Sequence, residues 1–579
     1  MVGLLLYSVV FFFLLVGIAG IVASLGAGSK TVIVKPNSVL HLNFKSDIVE
    51  RASDNSFDFS SLLGDMQPST GLNEILKSIE LAKTDDRIKG IFIENEDVPA
   101  GLATIDEIRQ AIVDFKSSGK LVYAYADNMT QGSYYLSSAA DKIVLNPLGE
   151  LTFKGLRAEI TFYKGLLDKL GVEVQVYRHG KFKSAVEPYL LSKMSDENRL
   201  QYQVMLDNMW NRFVQNVSES RNIASERLNQ IADGGLVQTP YYLQTCGLID
   251  WEAYRSDVLD DFASALGIGN AKDINFISVK KYAKSEPNVS FGGPKIAVIY
   301  ASGEINKASS GYSTEAEITP KAYLEALKDA REDSTIKAVV LRVNSPGGDA
   351  QASDVIWHEV ELTNRVKPVI VSMGDYAASG GYYISCPASR IVADEFTLTG
   401  SIGVFGLGLN IQKLMESRLG ITADVVKTNK LSDMGSSYRK ATPAEREIIQ
   451  SSVEKVYNTF VSRVSNGRNM SPDRVDSIGQ GRVWCGIDAR RLGLVDEFGG
   501  LTKSISVAAE LANVESYSLV ELPKEVDPIE SMLKAFTEEM TVRKMNSELG
   551  EFAKSAQYIR DLMESQGVKA QMENLIEIY

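Results

Sequence analysis

The chain contains two similar stretches of sequence, related by a constant offset of 248 in residue number. This offset aligns 88–93 with 336–341 without a gap. Further matched pairs are Asp127 and Asp375, Gly132 and Gly380, and Tyr135 and Tyr383. Only eight of the 48 positions from 88 to 135 are identical, but the order of strand, loop and helix signals is preserved. An internal repeat constrains the architecture more than any other feature, because both copies are expected to share one fold.

Each copy reads as a short apolar strand, a loop, an amphipathic helix and a further strand. In the second copy the predicted strands cover 295–300, 338–343 and 368–373, and the predicted helix covers 354–365. Strands that alternate with helices are typical of an α/β fold with a largely parallel sheet. The sequence therefore predicts two tandem α/β repeats.

The boundaries follow from composition. The first repeat is predicted at 29–284 and the second at 295–525, because the stretch between them is rich in Pro, Gly, Ser and Asn, as connections are. Residues 526–579 are charged and carry apolar positions at helical spacing, which predicts a helical tail. We expect this tail to be a packing or assembly surface.

Residues 1–28 contain no charged side chain. This length is sufficient to cross the hydrocarbon layer of a bilayer, which is about 30 Å thick. A secretory signal peptide would have a basic amino end and a shorter apolar stretch. We therefore expect a retained transmembrane helix, which would contact membrane lipid. Charge does not define its orientation, since Lys30 and Lys35 follow the span and no Lys or Arg precedes it.

The composition argues against two classes of partner. The formal net charge is -13 and no Lys/Arg-rich run is present, so nucleic acid is not an expected partner. Three cysteines and three histidines are spread along the chain without the spacing of a zinc site. No metal site is predicted.

The two copies differ where chemistry is expected. After its strands, copy two has Asn-Ser-Pro-Gly-Gly-Asp at 344–349 and Ala-Ser-Gly-Gly at 378–381. Copy one has Pro99 and Ala100 in place of the glycine pair, and Gln131 in place of Ser379. Conversely, after a one-residue shift, Lys183 of copy one faces Ser432. Each copy therefore holds residues that the other has lost.

These differences predict a nucleophile with an oxyanion hole. A glycine pair after a buried strand can point backbone N–H groups at developing negative charge. Ser379 lies between a strand and a helix, where the helix dipole also favours an anion. A serine hydroxyl needs a base. His179 and His358 are alternatives, but neither has an obvious acidic partner in the sequence.

Lys183 is the third candidate base. A lysine accepts a proton only when neutral, so its pKa must fall by roughly three from about 10.4, a cost on the order of 4 kcal/mol that burial can impose. The neighbourhood Phe-Lys-Ser-Ala-Val at 182–186 is apolar enough to bury the side chain.

Four motifs, in this order, resemble the signal peptide peptidase A family, also called protease IV, in its long two-repeat form. They are Gly-x-x-Lys-Ser-Ala-Val-Glu-Pro at 180–188, Ser-Pro-Gly-Gly at 345–348, Asp-x-Ala-Ala-Ser-Gly-Gly-Tyr at 375–382 and Leu-Thr-Gly-Ser-Ile-Gly-Val at 398–404. The similarity covers about residues 30–525. It implies two tandem Clp-protease/crotonase-like repeats behind an N-terminal transmembrane helix.

The resemblance also implies the roles of five residues. Ser379 would be the nucleophile, Lys183 the general base and Ser401 a hydrogen-bond partner of the lysine. The amides of Gly348 and Gly380 would form the oxyanion hole. No cofactor would be needed.

The resemblance further implies the substrate and the setting. The enzyme would degrade hydrophobic signal peptides after their release from preproteins, as a homo-oligomer, a tetramer in this family. It would be a single-pass protein of the bacterial inner membrane with its catalytic domain on the periplasmic side. The basic residues that usually precede the anchor in this family are missing here.

Two other functions are compatible with the residues. Crotonase-type folds also use paired amides to hold an acyl-CoA thioester enolate, but this reading has no role for Lys183. An inactive membrane scaffold with a peptidase fold would bind peptides without turnover. The complete set of nucleophile, lysine and glycines argues against the scaffold.

Overall fold

The computed structural model describes residues 32–52, 69–234, 239–285, 293–308, 317–523 and 567–572. In chain order the strands are β1 Ser38–Leu42, β2 Ile48–Val49, β3 Thr70–Gly71, β4 Ile88–Glu94, β5 Leu121–Ala126, β6 Lys142–Leu145, β7 Glu173–His179, β8 Trp251–Glu252, β9 Asn275–Ser278, β10 Lys295–Ser302, β11 Glu304–Ile305, β12 Glu317–Ile318, β13 Ile336–Ser345, β14 Gly347–Asp349, β15 Val369–Ala378, β16 Arg390–Ala393, β17 Leu398–Gly400, β18 Val404–Asn410, β19 Val483–Cys485, β20 Glu497–Phe498, β21 Ser518–Leu522 and β22 Gly567–Gln571.

The helices are α1 Leu72–Thr84, α2 Leu102–Lys116, α3 Gln131–Ser137, α4 Lys164–Leu170, α5 Glu187–Leu190, α6 Asp196–Arg221, α7 Ser225–Asp233, α8 Pro240–Thr245, α9 Arg255–Ala265, α10 Val279–Ala283, α11 Pro320–Glu332, α12 Ala350–Asn364, α13 Gly380–Ser385, α14 Gln412–Leu414, α15 Pro443–Arg468, α16 Pro472–Ile478, α17 Gly486–Leu492 and α18 Leu501–Leu511. Short 3-10 turns cover Ser184–Val186 and Ala271–Asp273, and a π-helical turn covers Met415–Leu419.

The two copies form two matching parallel sheets. Copy one has the strand order β8-β6-β5-β4-β1-β9, and copy two repeats it as β20-β16-β15-β13-β10-β21, with β17 and β19 added beyond β15. The central strands are buried on both faces, as in Ile91–Ile93 and Val339–Leu341, which is typical of parallel sheets covered by helices. The first residues of β4, β5 and β6 are related to those of β13, β15 and β16 by the offset of the sequence repeat. The predicted tandem α/β duplication is confirmed.

A third sheet joins the two copies. Strand β7 of copy one pairs antiparallel with β18 of copy two, in a register that runs from Val404 opposite His179 to Asn410 opposite Glu173. This pairing carries the loop after β7, which contains Lys183, into copy two. The same sheet includes β14 and β22.

A buried ion cluster also fixes the copies relative to each other. Arg342 of copy two is fully buried, and its guanidinium donates to Glu50 at 2.8 Å and to Glu107 at 2.9 Å, both in copy one. Burial raises the pKa of Glu107. Removing one partner of a buried ion pair typically costs about 3–5 kcal/mol, so a shift between the copies that separated these groups would be strongly unfavourable.

Copy two also caps a helix of copy one. Asp349 caps its own helix α12 by accepting from Ala352 N at 2.9 Å, whereas Gly101 at the equivalent position before α2 has no side chain. Asp375 reaches across and accepts from Thr104 N at 3.0 Å and from Thr104 Oγ1 at 2.7 Å. A Cβ at Gly101 would lie 2.2 Å from an Asp375 oxygen, so this cap requires glycine. Asp375 of copy two therefore supplies the N-terminal cap that Gly101 cannot give to helix α2 of copy one.

The ends of the chain are described only in part. The predicted transmembrane helix at 1–28 lies outside the described residues, and within the described ranges no helix combines the length and apolarity that a membrane span needs. The predicted helical tail at 526–579 is described only at 567–572. There the structure differs from the prediction, since Gly567–Gln571 form β22, because two neighbouring strands offer ladder partners to the segment.

Candidate active site

The structure brings Ser379 and Lys183 together from opposite copies. Lys183 Nζ donates to Ser379 Oγ at 2.9 Å and to Ser401 Oγ at 3.1 Å. The three side chains are buried, with Lys183 and Ser401 each 1 % exposed and Ser379 0 % exposed. Burial of a lysine disfavours its charged form, which is the condition that a lysine base requires.

Ser379 is held in a strained conformation at the end of β15. Its φ is 55° and its ψ is -110°, a region that residues other than glycine rarely adopt. The residue precedes helix α13, and its amide donates to Gly400 O at 2.8 Å. In this conformation the Ser379 hydroxyl lies within hydrogen-bond distance of the Lys183 amine.

The lysine loop rests on copy two. Phe182 N donates to Gln480 O at 3.0 Å, and a Cβ on Gly481 would lie 2.7 Å from Lys183 Cβ. Gly481 has φ 77°, and Gln480 also has a positive φ of 53°. These close backbone contacts set the position of Lys183, and Gly481 was not identified from the sequence. The Gly-Gln-Gly run at 479–481 was its available signal.

Of the two predicted oxyanion-hole glycines, Gly380 directly follows Ser379, and Gly348 follows Gly347, which packs against Gly380. Gly347 and Gly348 form β14 with φ values of 103° and 153°. A Cβ on Gly347 would lie 2.7 Å from Gly380 N, so the glycine pair packs directly against the amide that follows the serine. Gly347 N donates to Ser345 Oγ at 3.2 Å, which makes Gly348 N the better candidate donor of the two.

Strand β22 lies along this glycine strand. It pairs antiparallel with β14, with Ala570 opposite Gly348, and antiparallel with β18 on its other side. A Cβ on Gly347 would lie 2.3 Å, and one on Gly380 3.1 Å, from the carbonyl oxygen of Ala570. A peptide carbonyl therefore lies beside Gly347 and Gly380, next to the candidate oxyanion hole. The sequence did not predict this arrangement.

The histidines are engaged elsewhere. His179 Nδ1 lies 2.6 Å from Glu454, and its ring stacks on Tyr457 with the ring centroids 3.8 Å apart. The His358 side chain is 58 % exposed and lies 3.9 Å from Glu361. The basic group that contacts the Ser379 hydroxyl is the amine of Lys183.

In copy one the equivalent place holds different chemistry. Gln131 stands where copy two has Ser379, and its side chain accepts from Lys154 N at 3.0 Å and Gly155 N at 3.1 Å. It borders a cavity of about 530 Å³ that also includes Leu156 and Phe213. Copy one therefore has no hydroxyl nucleophile at the position equivalent to Ser379.

Comparison with known sequences shows that the chain is similar to peptidases. The family model for peptidase family S49 matches twice, at 114–268 and 361–515, once in each copy. Protease 4 of Haemophilus influenzae is 36% identical over 529 residues, which cover 88% of this chain and 85% of the relative. The chloroplastic serine protease SPPA of Arabidopsis thaliana is 33% identical over 461 residues, or 78% of this chain and 68% of the relative.

Among solved structures, ClpP1 from Listeria monocytogenes aligns at 15% identity with a TM-score of 0.23. The alignment covers 35% of this chain and 91% of ClpP1.

Proposed function

Because this chain belongs to peptidase family S49 and is a serine protease, we propose that Ser379 is its nucleophile and Lys183 its general base. The observation that carries this proposal is the 2.9 Å contact between Lys183 Nζ and Ser379 Oγ in a buried setting. Ser401 Oγ, at 3.1 Å from the amine, orients Lys183 toward the serine. An acyl-CoA enzyme would have no use for this contact.

The proposed reaction is acyl transfer. Neutral Lys183 takes the proton of Ser379, and the serine oxygen attacks the peptide carbonyl. The amides of Gly348 and Gly380 stabilise the negative charge that develops on the carbonyl oxygen. The lysine ammonium then protonates the departing amine, and water hydrolyses the acyl-enzyme with Lys183 again as base. These steps require no metal or cofactor.

We propose that substrates are released signal peptides, bound as an extended strand in the place that β22 occupies. Such a strand would pair with β14 and β18 on its two sides. Ala570 marks the residue before the scissile bond, because its carbonyl oxygen lies beside Gly347 and Gly380. Its side chain is fully buried, which favours small residues there. Signal peptides combine an apolar segment with small residues near their ends.

The proposed setting follows the resemblance. Residues 1–28 would anchor the chain in membrane lipid of the bacterial inner membrane, with the catalytic domain on the periplasmic side. The protein would act as a homo-oligomer, a tetramer by resemblance.

The substrate class is tested with the full-length chain in detergent micelles. We expect cleavage of a synthetic released signal peptide, mainly after alanine or a residue of similar size, and no cleavage by Ser379→Ala. Mass spectrometry of the products identifies the bond. A preference for folded, charged proteins over the signal peptide would contradict the proposal.

The role of β22 gives a second prediction. Val568→Pro removes a backbone donor and should release β22 from its ladders, because proline disfavours central strands. We expect KM for short peptides to fall by about tenfold, the effect of losing about 1.4 kcal/mol of competing interaction. Val568→Thr, which keeps the donor and the β-branched shape, is the matched control. Equal KM values in both variants would show that β22 does not compete with substrate.

A further inference from the structure

The cavity of about 530 Å³ beside Gln131 has the composition of a binding site. Its volume lies within the range of about 300–1,000 Å³ that is typical of ligand pockets, which occur preferentially between domains. Apolar side chains of both copies line it, among them Leu102, Leu156, Met209, Phe213, Phe396 and Leu398. The cavity therefore lies at the junction of the two copies.

The polar side chains around the cavity have partners within the chain. Gln131 is held by two backbone amides. Both carboxylate oxygens of Asp375 accept from Thr104, and Thr130 Oγ1 donates to Asp97 at 2.8 Å. Because these groups are already hydrogen-bonded, a ligand gains chiefly by burying apolar side chains in the cavity.

The two residues after Ala570 lie in a small enclosed space between the copies. Gln571 and Met572 line this space together with Met205 of helix α6 and Val483 of β19. Met572 is only 3% exposed. In a substrate bound like β22, these two positions are the first two residues after the scissile bond.

Two elements connect the enclosed space to the cavity. On helix α6, Met209 follows Met205 by four residues, a spacing that places side chains about 5–6 Å apart. On β17, Gly400 lies opposite Val483, and Leu398 lies two residues away, about 7 Å along the strand. Met209 and Leu398 both line the cavity. The step from the enclosed space to the cavity is therefore on the order of 6 Å, which two extended residues span.

We infer that the cavity of copy one is a subsite for the part of the substrate that follows the scissile bond, and that it binds an apolar side chain at about the fourth residue after that bond. This role rests on the proposed function, since it takes Ser379 as the nucleophile and the path of β22 as the path of the substrate. A released signal peptide contains an apolar stretch of about 7–15 residues, which can supply such a side chain. Copy one would thus bind the peptide that copy two cleaves.

Two internally quenched peptides test the subsite with the full-length chain in detergent micelles. Both have the same length and are cleaved after the same alanine, but one carries leucine and the other serine at the fourth and fifth residues after the bond. We expect kcat/KM to be about tenfold higher for the leucine peptide, within the range that burial of one leucine side chain supplies. Both peptides must displace β22, so that cost cancels in the ratio.

Two substitutions in the cavity should remove this preference. Leu156→Gln and Leu102→Gln place an amide among the apolar side chains and should each lower the ratio to below about twofold. Both leucines are only partly buried, and a partial loss of folded enzyme would affect both peptides alike. Leu166→Gln is the matched control, because Leu166 is 42% exposed on helix α4 and is not among the residues that line the cavity. This variant should keep the wild-type ratio.

Cross-linking locates the bound peptide without turnover. A photoreactive residue at the fourth position after the alanine should cross-link, in Ser379→Ala, to residues 98–105 or 209–213. A ratio of one in the wild-type chain, a ratio unchanged in both cavity variants, or cross-links only elsewhere in the chain would overturn the inference. Hydrolysis of the serine peptide, and its loss in Ser379→Ala, reports separately on the proposed function.

Discussion

Lys183→Ala is expected to reduce kcat for peptide hydrolysis by about 10⁴- to 10⁶-fold, the range found when a member of a nucleophile–base unit is removed. The physical reason is that Lys183 Nζ is the basic group within hydrogen-bond distance of Ser379 Oγ. Hydrolysis of a fluorogenic apolar peptide measures the effect. Circular dichroism and thermal unfolding establish that the variant is folded.

The chain offers a matched control two residues earlier. Lys181 is exposed, so Lys181→Ala removes the same side chain without touching the dyad and should leave kcat within about twofold, as expected for a surface change. Ser379→Ala should lose as much activity as Lys183→Ala, and the double variant should lose little more, since the two groups act as one unit. Activity that survives Lys183→Ala would point instead to His179 or His358 as the base.

Gly481→Ala is expected to lower kcat by about a hundredfold, although Gly481 lies outside the dyad. Its new Cβ would lie 2.7 Å from Lys183 Cβ and 2.8 Å from Lys183 N, so the lysine backbone must move away. A displacement of about 1 Å at a reacting group typically costs this much. The peptide assay gives kcat, and the melting temperature reports any loss of stability.

Gly119→Ala separates this effect from backbone strain. Gly119 has φ 78°, almost the same as the 77° of Gly481, but a Cβ there would meet nothing within 4 Å. Both substitutions place alanine in the left-handed region and carry the same backbone cost, to which Gly481→Ala adds the clash with Lys183. Only Gly481→Ala should lose activity. Equal kcat values in the two variants would mean that Gly481 does not position the lysine.

The sequence was sufficient to predict the repeated α/β architecture. Strands such as β4 and β13 are mostly apolar and lie at one constant offset, so the sequence pattern alone identifies them as strands. The same comparison drew attention to Ser379 and Lys183, because each is missing from the other copy. Their contact could not be predicted in this way, because it depends on the pairing of β7 with β18, which joins segments from opposite copies of the repeat.

Other features could not be predicted because their partners are remote in sequence. Arg342 reads as one charge in an apolar strand, and only the folded chain shows Glu50 and Glu107 beside it. The tail segment 567–571 has too little sequence of its own to indicate a strand, and it becomes one because β14 and β18 lie on either side. Asp375 likewise caps a helix of the opposite copy.

The separation of 196 positions between Lys183 and Ser379 also has a consequence during synthesis. At about 5–20 residues per second, the ribosome adds Ser379 roughly 10 to 40 s after Lys183. On the proposed roles, the growing chain carries the base without its nucleophile during that interval. Peptide hydrolysis would then begin only after the second copy has been synthesised, has folded and has packed against the first.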